Sequence, residues 1–222
     1  MPPVPTVDVL LAAGGSGSRF GSAIPKTLLP CAGRSLWEHA AAAFEASGFV
    51  RRIVVVVPAD HAEAFGDTYL CVIGGTTRAA SVRRGLEFLK GDPPDLVAVH
   101  DAARPLVTVD EIDRAIAAAA EHGAAFLATP VTSTLKRGRD EQVVETVSRD
   151  DLWAAQTPQV ARFDWLLVAH NSDGASTATD DAELLQRAGR PVRIVTGAAT
   201  NLKVTTPDDL MLAEALLARR AE

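Results

Sequence analysis

Short β-rich runs alternate with longer helical ones along the chain, and this alternation is the strongest constraint on its fold. Candidate strands are VDVLLAA (7–13), IVVVVP (53–58), YLCVIGG (69–75), LVAVHD (96–101), AAFLATPV (124–131) and VRIVTG (192–197). Val and Ile concentrate in them, and several are apolar throughout, as strands covered on both faces should be. Candidate helices fill the gaps at 35–47, 60–66, 78–90, 109–122, 162–171, 180–188 and 207–220. Thr108-x-x-Glu111 forms a capping box ahead of the apolar spacing Ile112, Ala115, Ile116. Thr206-Pro207-Asp208-Asp209 supplies an N-cap, a proline at the first helical position and acids in the first turn. Thr179, followed by Asp180 and Asp181, repeats that logic. The order implies an α/β fold with a mostly parallel sheet and helices on both faces.

One stretch breaks the rhythm. Residues 131–157, VTSTLKRGRDEQVVETVSRDDLWAAQT, hold β-like pieces around a polar turn and no helix of useful length. They read as a protruding β-arm inserted in a single domain covering 1–222. Exposed Val143, Val144, Val147 and Trp153 on such an arm would be a liability unless something covers them.

Charge and composition narrow the function. A net charge of −6 argues against a general nucleic-acid binder, which carries a basic stripe. Locally the balance reverses: from Val9 to Trp37 there is no Asp or Glu, while Arg19, Lys26 and Arg34 lie inside. An acid-free basic loop in an acidic protein suits a small polyanion. No apolar run approaches the roughly 18 residues of a membrane span, and the start MPPVPTVDV carries no signal-peptide pattern. Cys31 and Cys71 lie far apart with no CxxC, which fits reduced thiols and a cytoplasmic location. The five histidines show no zinc spacing.

In a doubly wound sheet, ligands bind beyond the carboxyl ends of the strands, so the loop after the first strand is the first place to look. It reads LLAAGGSGSRFGSAIPK, Leu10 to Lys26. Gly14, Gly15 and Gly17 let backbone approach phosphate oxygens closely. Two phosphate motifs fail here: GxGxxG would need a glycine where Phe20 stands, and the chain has no Gly-Lys pair for a P-loop. The cations carry the reading further. Transfer at a triphosphate needs positive charge on the α-phosphate and on the departing pyrophosphate. Arg19 offers a planar fork of donors, and Lys26, after the stiffening Pro25, a compact charge.

AAGGSGSR…PK resembles the signature loop of nucleotidyltransferases that join a nucleoside triphosphate to a phosphorylated sugar or alcohol. GGTTRAASV (74–82), HDAARP (100–105), TLKR (134–137), VSRDDLWAAQTPQ (147–159), TDDAELL (179–185) and NLKVTTPDDL (201–210) follow in the order of one family. That family is 2-C-methyl-D-erythritol 4-phosphate cytidylyltransferase, and the resemblance spans nearly the whole chain. It implies a Rossmann-like nucleotidyltransferase domain that joins CTP to methylerythritol phosphate and releases pyrophosphate, in the non-mevalonate isoprenoid pathway. The longer GGxGxR loop also resembles ribitol 5-phosphate cytidylyltransferase, a sister family with the same chemistry; HDAARP, TLKR and the arm favour methylerythritol. A nucleotide-binding regulatory module without catalysis would tolerate loss of Arg19, Lys26 or Lys203, and all three are present.

The resemblance assigns roles residue by residue. Arg19 and Lys26 match the transition-state stabilisers. Ala12, Ala13, Gly14, Gly15, Ser16 and Gly17 match the segment around cytosine and the phosphates. Gly74, Gly75, Arg78 and Ser81 match a second nucleotide-binding segment, with Ala102 beside it. Asp101, Arg104, Thr134, Arg149, Thr157 and Lys203 match positions at or near the alcohol phosphate, Arg149 and Lys203 fixing its phosphate for attack. Asp101 closes LVAVHD at the sheet's functional edge, where a carboxylate suits Mg²⁺ bridged to triphosphate oxygens; His100 beside it reads as packing. In this family the arm reaches a second subunit, so Thr134 and Arg149 would serve the partner's site in a homodimer.

Overall fold

The structure is a computed structural model and describes residues 5–14 and 24–220. Its first strand, β1 (Val7–Ala12), lies in the middle of a seven-stranded sheet. A small antiparallel pair, β2 (Pro30–Cys31) and β3 (Arg34–Ser35), leads into helix α1 (Leu36–Glu45). Then come β4 (Val50–Val57), β5 (Leu70–Ile73), α2 (Arg78–Leu89), β6 (Leu96–Asp101), α3 (Val109–His122) and β7 (Ala124–Pro130). The antiparallel pair β8 (Leu135–Arg139) and β9 (Gln142–Val147) forms a separate two-stranded sheet. The chain returns through β10 (Trp153–Arg162) and continues as α4 (Phe163–His170), α5 (Asp181–Arg187), β11 (Arg193–Thr196) and α6 (Pro207–Arg220).

The central sheet has the order β11-β7-β10-β6-β1-β4-β5. All neighbouring pairs are parallel except those of β10, which runs antiparallel to both β6 and β7. Its helices divide between two faces. Val9 and Leu11 of β1 pack with Trp37, Ala40 and Phe44 of α1 and with Ile112 and Ile116 of α3. Leu10, pointing the other way as strand alternation requires, packs with Val82, Leu86 and Leu89 of α2, Leu166 of α4 and Leu184 of α5. α6 closes one end over Cys31, Leu36, Leu106 and Val204.

The expected caps at 108 and 206 are in place: Thr108 and Glu111 bond reciprocally, and Thr206 Oγ1 accepts from Asp209 N at 3.3 Å. Three expectations change. Residues 60–66 form 3-10 turns within Ala59–Phe65 rather than an α-helix, because His61 leaves helical geometry (φ −134°). The N-cap of α5 is Asp180, whose Oδ1 accepts from Glu183 N at 2.8 Å; Thr179 instead donates its N–H and hydroxyl to Glu183 Oε2. Finally, Trp153–Thr157, the last part of the expected arm segment, lies in β10 of the central sheet. Pro158 sits inside that strand, and a register shift between Ala155 and Gln159 accommodates its missing N–H.

The order places a switch point at β1 and β6: the connection from β1 leads to β4 on one side, and β6 pairs on the other. Ala12 and Asp101 are in register at the carboxyl ends of these two strands. This is where an open α/β sheet receives its ligand.

Candidate active site

The loop after β1 is anchored before it reaches any ligand. Ala12 O accepts from Ala102 N at 3.1 Å, and Ala13 N donates to Val56 O at 2.9 Å. Ala13 O accepts from the buried Thr27 hydroxyl at 3.0 Å. The main-chain groups of Ala12, Ala13 and Ala102 expected at the nucleotide thus build the frame of the site. Gly14 lines a cleft of about 500 Å³ with Ile24, Pro25, Val57, Pro58, Gly74, Gly75, Thr77, Arg78 and Ser81. Gly15, Ser16, Gly17 and Arg19 lie outside the described residues.

The far wall of the cleft explains its two glycines. A Cβ on Gly74 would meet Ser81 Oγ at 2.8 Å, and one on Gly75 would meet Ala80 Cβ at 2.5 Å. The turn between β5 and α2 therefore packs directly onto the helix, as only glycine allows. Ser81 is buried, accepts from Gly75 N at 3.1 Å and donates back to Thr77 O at 2.9 Å. Its hydroxyl fixes the shape of the turn, a role that its expected part in reading the base did not include.

Asp101 is the hub of the site. Oδ1 accepts from Arg78 Nε at 3.1 Å and Oδ2 from Lys203 Nζ at 2.7 Å. Burial alone would raise its carboxyl; the Arg78 and Lys203 charges override this and hold it well below the ordinary carboxylate range. Burial would weaken Arg78 as a base, but Asp181 and Asp101 raise it above its ordinary value. Both groups are charged across the whole working pH range.

Behind Asp101, the turn HDAARP is clamped from within. Thr157 Oγ1 accepts from Asp101 N at 3.1 Å and lies 3.1 Å from His100 Nδ1, while His100 Nε2 lies 3.2 Å from Arg104 O. Burial pushes His100 down to about 4, so the ring is neutral at pH 7. One assignment satisfies every group: Nε2–H donates to Arg104 O, and the Thr157 hydroxyl donates to Nδ1 while accepting from Asp101 N. His100 does pack, edge-on against Phe44 at 5.0 Å, but it also sets the turn. Thr157, expected near the alcohol phosphate, has its hydroxyl proton engaged with His100.

Arg104 Nη1 donates to Asn201 O at 2.7 Å, and burial lowers the guanidinium's basicity. Asn201 is itself buried and donates to Thr157 O at 2.9 Å and Gln156 Oε1 at 3.3 Å. Gln156 donates to Ala198 O at 2.9 Å, and Glu111 Oε1 accepts from Ala198 N at 2.7 Å. These bonds fix the segment that carries Lys203. Val204 in the same segment donates to Ala103 O at 2.8 Å and accepts from Lys26 Nζ at 2.8 Å. Lys26, Arg78, Arg104 and Lys203 are thereby joined, directly or through the main chain, around Asp101. Gln156 and Asn201 carry no role in the sequence reading and Glu111 only that of a helix cap, because nothing in a sequence distinguishes a buried amide or acid from an exposed one.

Thr134 and Arg149 do not join this network. Both are exposed, and Arg149 Nη1 donates to the carbonyl of Thr132 within the 131–152 segment. Nor do the described residues contain a cluster of three or more His, Cys, Asp or Glu side chains able to hold a metal. Asp101 fits Mg²⁺ poorly as a protein-held ion, because each of its oxygens already faces a cationic nitrogen.

The family model described as 2-C-methyl-D-erythritol 4-phosphate cytidylyltransferase matches residues 7–219. The chain belongs to this family. It is 42% identical over 231 residues to the cytidylyltransferase of Rhodopirellula baltica, covering 96% of this chain and 95% of that one. A relative of the same name from Pelotomaculum thermopropionicum is 42% identical over 227 residues, covering 96% and 95%. Among solved structures, the Thermus thermophilus cytidylyltransferase superposes with a TM-score of 0.82 at 36% identity, covering 96% of this chain and 99% of that one. The chain also resembles the bifunctional IspD/IspF enzyme of Rhodospirillum rubrum at 42% identity, spanning 58% of that protein. The family's cytidylyltransferase fold accounts for the mostly parallel sheet that the alternation implied; six of its seven strands fall on the expected runs, and β10 is the addition. No described helix is long and apolar enough to cross a membrane.

Proposed function

We propose that this chain transfers CMP from CTP to 2-C-methyl-D-erythritol 4-phosphate in the non-mevalonate isoprenoid pathway. The observation that carries the reading is the cation set around Asp101 beside a glycine-walled cleft, in a chain of this family. Lys26, Arg78, Arg104 and Lys203 outnumber the carboxylates Asp101 and Asp181 that offset them, which leaves a positive field suited to two phosphorylated substrates.

In the proposed reaction a phosphate oxygen of the alcohol phosphate attacks the α-phosphorus of CTP in line. The new P–O bond forms as the bond from Pα to the bridging oxygen of the β-phosphate breaks, and pyrophosphate leaves with that electron pair. The attacking phosphate is already ionised, so no protein base or nucleophile is required; positioning and charge stabilisation suffice. Gly14, Gly74, Gly75 and Ser81 shape the nucleotide cleft, with Arg78 at its wall. Lys26 and Arg19 stabilise charge on the transferring and leaving phosphates. Lys203 and Arg104 hold the alcohol phosphate, and Asp101 orients Lys203. Mg²⁺ is proposed to arrive on the triphosphate oxygens of CTP rather than on Asp101.

The active form is proposed to be a homodimer in which the β8–β9 segment brings Thr134 and Arg149 to the partner's site. Exposed Val143 and Val144, and the absence of any bond from Arg149 to the Asp101 network, support this. A cytoplasmic location is proposed with it, supported by the free Cys31 and Cys71.

The test is pyrophosphate release from CTP and Mg²⁺ with methylerythritol 4-phosphate and ribitol 5-phosphate in parallel. Release with the first alone is expected. Release only with ribitol phosphate would move the protein to the sister reaction, and silence with both would defeat the enzymatic reading.

A further inference from the structure

Helix α5 opens on a carboxylate that never reaches the cleft. Asp181 has no exposed surface, yet its Oδ2 lies 2.8 Å from Arg78 Nη1 and its Oδ1 lies 2.8 Å from His170 Nε2. Arg78 in turn reaches Asp101 through Nε and lines the nucleotide cleft. A chain of polar contacts thus runs from the buried end of α4 to the cleft wall.

Three features separate this arrangement from an ordinary core ion pair. Arg78 is the first residue of α2, where a cation opposes the helix dipole, so its position depends on carboxylates brought from elsewhere. The carboxylate is itself rigidly placed. Gln159 accepts from Ala182 N at 2.8 Å and donates to Asp180 Oδ2 at 3.1 Å, which pins the first turn of α5 to β10. Finally, Arg78 Nη2 has no partner among the described residues, so the fork is held by two nitrogens and presents the third.

We propose that Asp181 is a positioning residue for nucleotide binding, holding the Arg78 guanidinium at the cleft wall without touching the nucleotide. Without it, Arg78 keeps one anchor, Asp101, which it shares with Lys203, and the fork can turn about that contact. The TDDAELL motif gains a function from this arrangement: Thr179, Asp180 and Glu183 build the helix start, and Asp181 is what that start delivers. The inference rests on the reading of the cleft as a CTP site.

The experiment compares Asp181→Asn, Arg78→Met and the double variant with wild type. CTP affinity is read by calorimetry, KM is measured for both substrates, and melting temperature reports the fold. Asp181→Asn is expected to weaken CTP about tenfold while KM for the alcohol phosphate stays within about twofold. The double variant is expected to bind CTP no more weakly than Arg78→Met alone, because both substitutions remove one function. Should Asp181→Asn not fold, His170→Gln loosens the same carboxylate from its other side and is expected to weaken CTP about threefold, again only when Arg78 is present. Wild-type CTP affinity in a folded Asp181→Asn protein, or losses that add in the double variant, would overturn the inference while leaving the cytidylyltransferase reading intact. A wild type that neither binds CTP nor releases pyrophosphate would end both.

Discussion

Lys26 Nζ donates to the carbonyl of Val204 at 2.8 Å, joining the turn at Lys26–Leu28 to the segment that carries Lys203. The two residues are 178 positions apart in the chain. The contact places a cation expected at CTP within the framework of the residues expected at the alcohol phosphate. Lys26→Ala is expected to lower kcat by roughly a hundred- to a thousandfold, the cost of removing one donor aimed at developing charge. Steady-state pyrophosphate release measures this, and unchanged turnover would remove Lys26 from the chemistry.

His100 makes folding stability pH-dependent. Burial depresses its folded-state value to about 4, while the unfolded chain takes up a proton near the ordinary histidine value of about 6.5. Above the unfolded value neither state is charged and the contribution is fully present. As pH falls from about 6.5 to about 4, only the unfolded state gains a proton, and stability drains away. The loss attributable to this one ring is roughly 3 kcal/mol over that window. Urea denaturation at pH 7.5 and 4.5 is expected to show that difference in wild type and to show it flattened in His100→Asn. An equal pH dependence in the variant would locate the titration elsewhere.

What could be read from the chain, and what could not, follows physical range. Strand cores such as VLLAA (9–13) and LVAV (96–99) announce themselves because burial on both faces demands apolar runs. The start of α3 is legible because a capping box is local. β10 escaped because most of its residues are small or polar and Pro158 interrupts it, and its strand character comes from the neighbours β6 and β7 that pair with it. In the site, Asp101 was legible from its place at a strand end. Its ion pairs were not, since Arg78 lies 23 residues before it and Lys203 lies 102 after. Asp181 had a visible motif but no visible purpose, because a helix-start acid and a buried counter-ion look alike until the fold brings Arg78 to it.

The contact between Gly75 and α2 predicts a steric defect confined to nucleotide binding. A Cβ there would stand 2.5 Å from Ala80 Cβ and 3.0 Å from the backbone carbon of Ala80, neither of which can rotate away. Gly75→Ala is expected to displace the turn and to raise KM for CTP by about tenfold or more, with a stability loss of about 1–3 kcal/mol. KM for the alcohol phosphate, whose proposed residues lie on other segments, is expected to stay near wild type. A rise in both Michaelis constants together would mean that the turn also shapes the second substrate's site.

The proposed sharing of Arg149 between subunits can be separated from a role in its own site by mixing two damaged proteins. Arg149→Ala is expected to raise KM for the alcohol phosphate and leave CTP affinity unchanged, while Lys26→Ala alone is nearly silent. After subunit exchange, a mixed dimer pairs a cleft with intact Lys26 against an arm with intact Arg149. One of its two sites is then whole, and an equal mixture recovers about a quarter of wild-type sites, since half the dimers are mixed. If instead each Arg149 serves its own cleft, no mixed dimer contains a whole site, and activity equals that of the two damaged proteins measured apart. Turnover of the exchanged mixture at alcohol-phosphate concentrations below the raised KM reads the difference directly, with unexchanged proteins as the baseline.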